Sequence, residues 1–278
     1  MAEGLNGLLR WYAEMGVDIA VDDTPHDRFA ESSASLCLRA EMRSVSAAPR
    51  KTIEASRHTM REPATALAAD AIAATAQESA TAAKDLDDLR ERLSRFEGCG
   101  LKATATRLVF SDGYQSADIM FVGEAPGADE DREGLPFVGR AGKLLDKMLA
   151  SIGLDRGKVY IANVVPWRPP GNRTPTPLET AACLPFTRRQ IELVGPKILV
   201  CLGAASAQTL LGGKEGIMRM RGRWFVFAGN PEIRAFAMLH PAYLLRQPAH
   251  KKLAWQDLRM LEKEINRLQL FANERPEP

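Results

Sequence analysis

The sequence predicts an α/β fold: a three-layer αβα arrangement around a central, mostly parallel, four-stranded sheet. Three observations carry that prediction. Four short apolar runs, residues 117–122, 159–165, 197–202 and 235–239, have the length and near-continuous hydrophobicity of strands buried on both faces (Asp118 interrupts the first). An amphipathic stretch, 142–152, follows the first run and reads as a helix. Each run also delivers a glycine turn or a polar residue at its C-terminal end, which is where open α/β sheets bind ligands.

Residues 1–95 read as an N-terminal extension and 96–278 as one domain, long enough for a full core because domains commonly hold about 100–150 residues. In the extension, residues 5–15 read as a short amphipathic helix carrying Leu8, Leu9, Trp11 and Tyr12. Residues 24–62 are rich in Ser, Ala, Arg and Glu and poor in aromatics, the composition of a flexible linker. An Ala-rich helix follows Pro63, with Leu86, Leu89 and Leu93 at helical spacing; only its final turns need pack on the domain. The extension is a tether or, through its aromatic helix, a segment that docks another protein. The sequence leaves both open.

Charge narrows the partners. The net charge is only +2, so binding to a polyanion must rest on local patches. Lys214, Arg219, Arg221, Arg223, Arg246, Lys251 and Lys252 cluster in the last third and read as either a solvated face or a phosphate-tracking strip. No signal peptide is apparent, and no window reaches the ~18 apolar residues of a membrane span. The expected setting is cytoplasmic, with reduced thiols and no membrane association.

The first strand runs into Gly123, Glu124, Ala125, Pro126 and Gly127, followed by Asp129, Glu130, Asp131 and then Phe137. Gly123 and Gly127 let backbone approach a ligand closely. Glu124 can point a carboxylate into the crevice, and Phe137 offers a flat apolar face. The glycine spacing is neither a dinucleotide fingerprint nor a P-loop. The second strand carries Asn163 and enters a proline-rich loop with Asn172 and Arg173; the third ends in Gly203; the fourth ends in His240, followed by Tyr243, Leu244, Leu245 and Arg246. Taken singly, Asn163 reads as a cap, His240 as a structural residue, and Asn172 and Arg173 as turn chemistry. Their shared position at strand ends points to a site.

These segments, GEAPGADED (123–131), PFVGRAG (136–142), the Asn163 strand, RPPGNRTPTP (168–177) and HPAYLLR (240–246), resemble in this order the uracil-DNA glycosylase superfamily, its family 4 type above all. The resemblance spans roughly 96–268. It implies base excision from uracil-containing DNA by a monomer that flips the nucleotide out of the stack. It also implies a stacking role for Phe137, a place near DNA for the Asn172–Arg173 loop, and an apolar wedge among Leu244, Leu245 and Arg246. An aspartate stands at the Ala125 position in the best-known members, so Glu124, with backbone near Ala125, is left to orient or activate the water. An aromatic that excludes thymine in other branches is replaced by Gly127, leaving Glu130 to wall off the C5 side. A covalent branch has a histidine in the proline-rich loop; none is present here. No motif lysine suits a Schiff base, so the reaction is monofunctional.

Family 4 members hold a [4Fe–4S] cluster on four cysteine thiolates. Here Cys99 and Cys183 fit the second and fourth ligands, but Phe96 and Trp167 stand at the other two. The expectation is therefore no cluster, aromatic packing in its place, and two buried free thiols. Four scattered histidines offer no zinc pattern either, so no metal is expected.

The chemistry assigns the rest. Bond cleavage leaves an oxocarbenium-like sugar and a uracil anion, which hydrogen bonds stabilise. Asn163 carries both a donor and an acceptor: it can donate to uracil O4 and accept from N3–H, a pattern cytosine reverses. His240 can donate to O2, where negative charge gathers. Two rival readings remain. One is a damage-binding protein that captures uracil or abasic DNA with little turnover. The other is a phosphohydrolase holding Mg²⁺ on Glu124, Asp129, Glu130 and Asp131.

Overall fold

The computed structural model describes residues 63–271. The expected helix at 5–15, the linker at 24–62 and the docking role built on Leu8, Leu9, Trp11 and Tyr12 lie outside the described residues. The described residues belong to one compact unit.

The four apolar runs are strands: β2 (Ile119–Gly123), β3 (Tyr160–Asn163), β4 (Ile198–Leu202) and β6 (Arg234–Met238). They pair in parallel in the order β3-β2-β4-β6. The sheet is larger than expected. β1 (Asp112–Gly113) and β5 (Trp224–Val226) add antiparallel edges, giving six strands in the order β1-β3-β2-β4-β6-β5. From β2 the chain adds β3 on one side and then returns to β4 on the other. The reversal beside β2 is the switch point at which a crevice opens beyond the strand ends.

Side-chain alternation divides the core between the two faces of the sheet. Met120, Val122, Tyr160, Ala162, Leu199, Cys201 and Ala237 face one layer. Ile119, Phe121, Ile161, Ile198, Val200, Leu202 and Met238 face the other. The first layer is built on α1 (Pro63–Thr81), α2 (Leu86–Arg95), α5 (Pro177–Val194) and α6 (Ala204–Leu211). The second is built on α4 (Arg140–Ala150), α8 (Pro241–Arg246) and α9 (Lys251–Arg267). Two short helices, α3 (Ala128–Glu133) and α7 (Ile217–Met220), complete the described set.

The Ala-rich segment does more than touch the domain with its final turns. Its small residues Ala76, Ala80 and Ala83 are buried with Leu86, Leu89 and Leu93 in the same core as α5. Asp85 caps α2 by accepting from Asp88 N–H. Arg189 on α5 donates to the Ala83 carbonyl at 2.8 Å, fixing the α1–α2 turn. The packed unit thus begins well before residue 96.

Candidate active site

Strand register brings the first two site residues together. Gly123 pairs with Asn163 at the ends of β2 and β3. A Cβ on Gly123 would lie 2.4 Å from Asn163 Oδ1 and 2.7 Å from Phe137 Cζ. Only glycine lets the amide and the ring close over the strand end. Asn163 is buried, 5% exposed.

Phe137 has φ 55°, a left-handed backbone that bulky residues rarely adopt and that costs of order 1–3 kcal/mol. Its ring packs on His240, centroids 5.5 Å apart and planes at 30°. Gly142, in the first turn of α4, makes this possible: a Cβ there would lie 1.5 Å from the Phe137 carbonyl oxygen. Gly142→Ala is therefore expected to destabilise the fold by about 3 kcal/mol, at the upper end of overpacking costs. Chemical denaturation read against wild type checks this, and an unchanged midpoint would refute it.

His240 caps α8, its Nδ1 accepting from Ala242 N–H at 3.1 Å. An accepting Nδ1 carries no proton, so in the neutral ring the proton sits on Nε2. Burial, reinforced by the nearby Arg246 charge, pushes the imidazole pKa down to about 4. At neutral pH the ring is uncharged and has one N–H left to give.

Glu124 is half-buried, and its Oε1 is sealed from solvent with no hydrogen-bond partner among the described residues. Burial raises its carboxyl pKa, while a hydrogen bond with the Thr174 side chain opposes the rise. Thr174 belongs to the proline-rich loop, so that loop is tied directly to the end of β2.

These residues surround one cavity of about 750 Å³, within the range of small-molecule sites. Of the residues expected at the site, Glu124, Ala125, Gly127, Glu130, Phe137, Asn163, Asn172, Arg173, His240, Tyr243 and Arg246 line it. Gly123 lies beneath, as the floor under Asn163 and Phe137. Leu244 does not reach it. It is 1% exposed and anchors α8 in the core, so it is unavailable as a wedge. Leu245 is half-buried and Arg246 exposed.

Several expected residues are committed to structure. Glu130 Oε2 accepts from Gly127 N–H at 3.0 Å and Oε1 from Gly139 N–H at 2.9 Å. Both oxygens are used to brace the two loops, and the cavity wall it contributes is that brace. Asn172, with φ 55°, accepts from Arg168 Nε at 2.7 Å. Arg173 forms a two-pronged pair with Glu179, at 2.8 and 2.6 Å, and holds that carboxyl pKa down at about 2. Glu179 also accepts from Thr176 N–H in the capping box that starts α5. The proline-rich loop is thus internally cross-linked, and Arg173 carries a neutralised charge. In the basic cluster, Arg221 turns inward to the fully buried Asp257 and Arg223 pairs with Glu215. Arg219, Arg246, Lys251 and Lys252 remain on the surface.

Sequence reasoning missed Thr174 and Gly142. Thr174 had a signal, its place within the proline-rich motif. Gly142 had the same kind of signal, its place at the end of the PFVGRAG motif, but the reason for it is a through-space clash that the motif does not reveal.

The residues at the cluster position form a packed apolar block. Cys99, Cys183 and Cys201 are buried free thiols. Cys99 and Cys183 hydrogen-bond each other, which lowers the Cys99 pKa and raises that of Cys183. Phe96 packs tilted against Phe186, ring centroids 5.1 Å apart and planes at 55°, and Trp167 is 2% exposed in the same core. Two thiols do not supply the four ligands a cubane needs, and both lie in the same buried apolar layer as Phe96, Phe186 and Trp167. Among the described residues, no group of three or more His, Cys, Asp or Glu is placed to hold a metal ion, and no helix is long and apolar enough to cross a membrane.

Fold and cavity together define an α/β protein with a small-molecule-sized site at the sheet's switch point. The sequence profile of the uracil DNA glycosylase superfamily matches residues 110–259. This chain belongs to that superfamily. It is similar to the type-4 uracil-DNA glycosylase of Archaeoglobus fulgidus, 44% identical over 170 residues that cover 59% of this chain and 85% of the relative. The type-4 uracil-DNA glycosylase of Thermotoga maritima is 41% identical, covering 60% and 86%. That of Pyrobaculum aerophilum is 40% identical, covering 63% and 92%.

Proposed function

We propose that this protein is a uracil-DNA glycosylase, which flips deoxyuridine out of DNA and hydrolyses its N-glycosidic bond to leave an abasic site. One observation carries the reading: Asn163, Phe137 and a neutral, Nε2-protonated His240 converge on a single cavity at the strand ends. Phe137 stacks on the extruded base. Asn163 donates to O4 and accepts from N3–H. His240 donates Nε2–H to O2 as the bond to the sugar lengthens, so the base leaves as a stabilised anion and no proton need be transferred. Glu124, which lines the cavity, orients the attacking water, with the Thr174 side chain beside it. Leu245 or Arg246, on α8 beside the cavity, fills the gap in the stack, and the surface cations near α9 follow the phosphates. The protein acts as a cytoplasmic monomer without a cluster.

The test is excision from a labelled uracil oligonucleotide in excess EDTA, with iron measured on the same preparation. Alkali-revealed breaks from iron-free protein are expected. A shift selective for uracil or abasic DNA without breaks would support capture without turnover. A strict Mg²⁺ requirement would support phosphohydrolysis on the acidic residues, an arrangement already weakened by the use of Glu130 and Asp131 as backbone acceptors.

A further inference from the structure

Phe137 cannot hold its place through its own backbone preference. It sits at φ 55°, and its carbonyl faces inward over Gly142. A carbonyl forced into that position needs a donor, and the donor comes from the opposite edge of the sheet. Arg156, in the turn before β3, donates from Nη2 to the Phe137 carbonyl and from Nη1 to the Pro136 carbonyl at 3.2 Å. The guanidinium is itself clamped. Asp112 accepts from Nη1 at 2.5 Å and Asp146 accepts from Nε at 2.8 Å. Two carboxylates thus fix the plane of the fork, and the fork fixes two consecutive carbonyls.

Each anchor belongs to a different piece of the fold. Asp112 lies on edge strand β1, Asp146 on α4 and Arg156 in the turn entering β3. Phe137 lies in the loop between α3 and α4. The side chain of Arg156 is about a quarter exposed, at 26%. Nothing places it in the cavity.

We propose that Arg156 is a positioning residue for base stacking: by holding the Pro136 and Phe137 carbonyls it keeps the Phe137 ring parallel to the flipped base and against His240. Arg156 touches neither substrate nor water. It acts only through Phe137, by pre-paying the cost of the left-handed backbone so that the stacking face stands ready before the nucleotide arrives. The inference rests on the glycosylase reading, in which Phe137 stacks on uracil.

The test is a double-mutant cycle of Phe137→Ala, Arg156→Ala and the pair, read in three ways: kcat/KM for uracil excision, inhibition by free uracil, and affinity for abasic DNA. Arg156→Ala is expected to lower kcat/KM by roughly 10- to 100-fold, the usual cost of misplacing a binding group by about an ångström. It weakens inhibition by free uracil in parallel and leaves abasic-DNA affinity unchanged, since the product lacks the base. With Phe137 already removed, Arg156→Ala has no further effect on excision. A merely structural role would instead make the two losses multiply and would weaken abasic-DNA binding too; either result overturns the assignment. Should Arg156→Ala fail to fold, Arg156→Lys keeps the charge against Asp112 and Asp146 but lacks the fork, and the same cycle is read on it. If Phe137→Ala alone excises uracil at the wild-type rate, the stacking reading fails and this assignment falls with it. If Phe137→Ala is impaired but the cycle is additive, only the role of Arg156 fails.

Discussion

Replacing His240 by alanine is expected to lower uracil excision by about 10²–10³-fold, the usual cost of removing one donor aimed at developing negative charge. Single-turnover rates on a uracil oligonucleotide check it, and a loss under tenfold would remove His240 from the chemistry. The same ring predicts a pH dependence. Its native pKa is about 4 against an ordinary 6.5, because burial and Arg246 disfavour the charged form. The His240 titration should therefore put no break in excision near 6.5, and its own effect sets in only as the pH approaches 4. Stability follows the same window. Between 6.5 and about 4 the unfolded chain holds a proton on His240 that the native protein refuses. Its contribution is full above 6.5, falls as the pH drops through the window, and is exhausted below about 4. Glu124, whose carboxyl pKa burial raises, adds a separate titration of its own. The wild-type minus His240→Ala difference in unfolding free energy, followed against pH, isolates the imidazole. A difference independent of pH between 4 and 6.5 would falsify the buried neutral ring.

The fold was legible where the sequence repeats a physical demand. A strand buried on both faces must be apolar throughout, so β2, β3, β4 and β6 announce themselves. The edge strands do not, because β1 has only 2 residues and β5 only 3, too few for any periodicity. The candidate site was legible for a related reason. Asn163 and His240 are polar residues at the ends of apolar runs, and burial of a polar side chain demands a use. What stayed hidden are the supports. Arg156 meets Asp112 across 44 positions, and Gly142 is required only because the Phe137 carbonyl passes over it. Two adjacent leucines on α8 look alike in sequence, yet only Leu244 faces the core. Arg221 reads as part of a basic strip, but Asp257 turns it inward. In each case a long-range partner decides which way a side chain faces, and local pattern carries no record of it.

The support residues also fix how Asn163 works. Because Gly123 leaves no Cβ between strand and amide, and because Asn163 is 5% exposed, no water can substitute for the amide once the base is in place. Asn163→Leu leaves both N3–H and O4 of uracil buried and unpaired. At about 2 kcal/mol each this is about 4 kcal/mol, or roughly three decades in rate. The preference for uracil over cytosine should shrink with it, since neither base then finds a matched partner. Asn163→Asp separates the two halves of the amide. An ionised carboxylate still accepts from N3–H but repels O4, so excision at pH 8 should be as poor as in the leucine variant. As the pH falls the buried carboxyl gains a proton, regains a donor for O4, and excision should recover. Recovery above the midpoint of the His240 titration is observable because that ring stays neutral down to about 4. Excision rates of the two variants, measured from pH 8 to pH 5, decide it. An aspartate variant whose activity stays flat with pH, or a leucine variant within tenfold of wild type, would mean that Asn163 reads the base through neither bond.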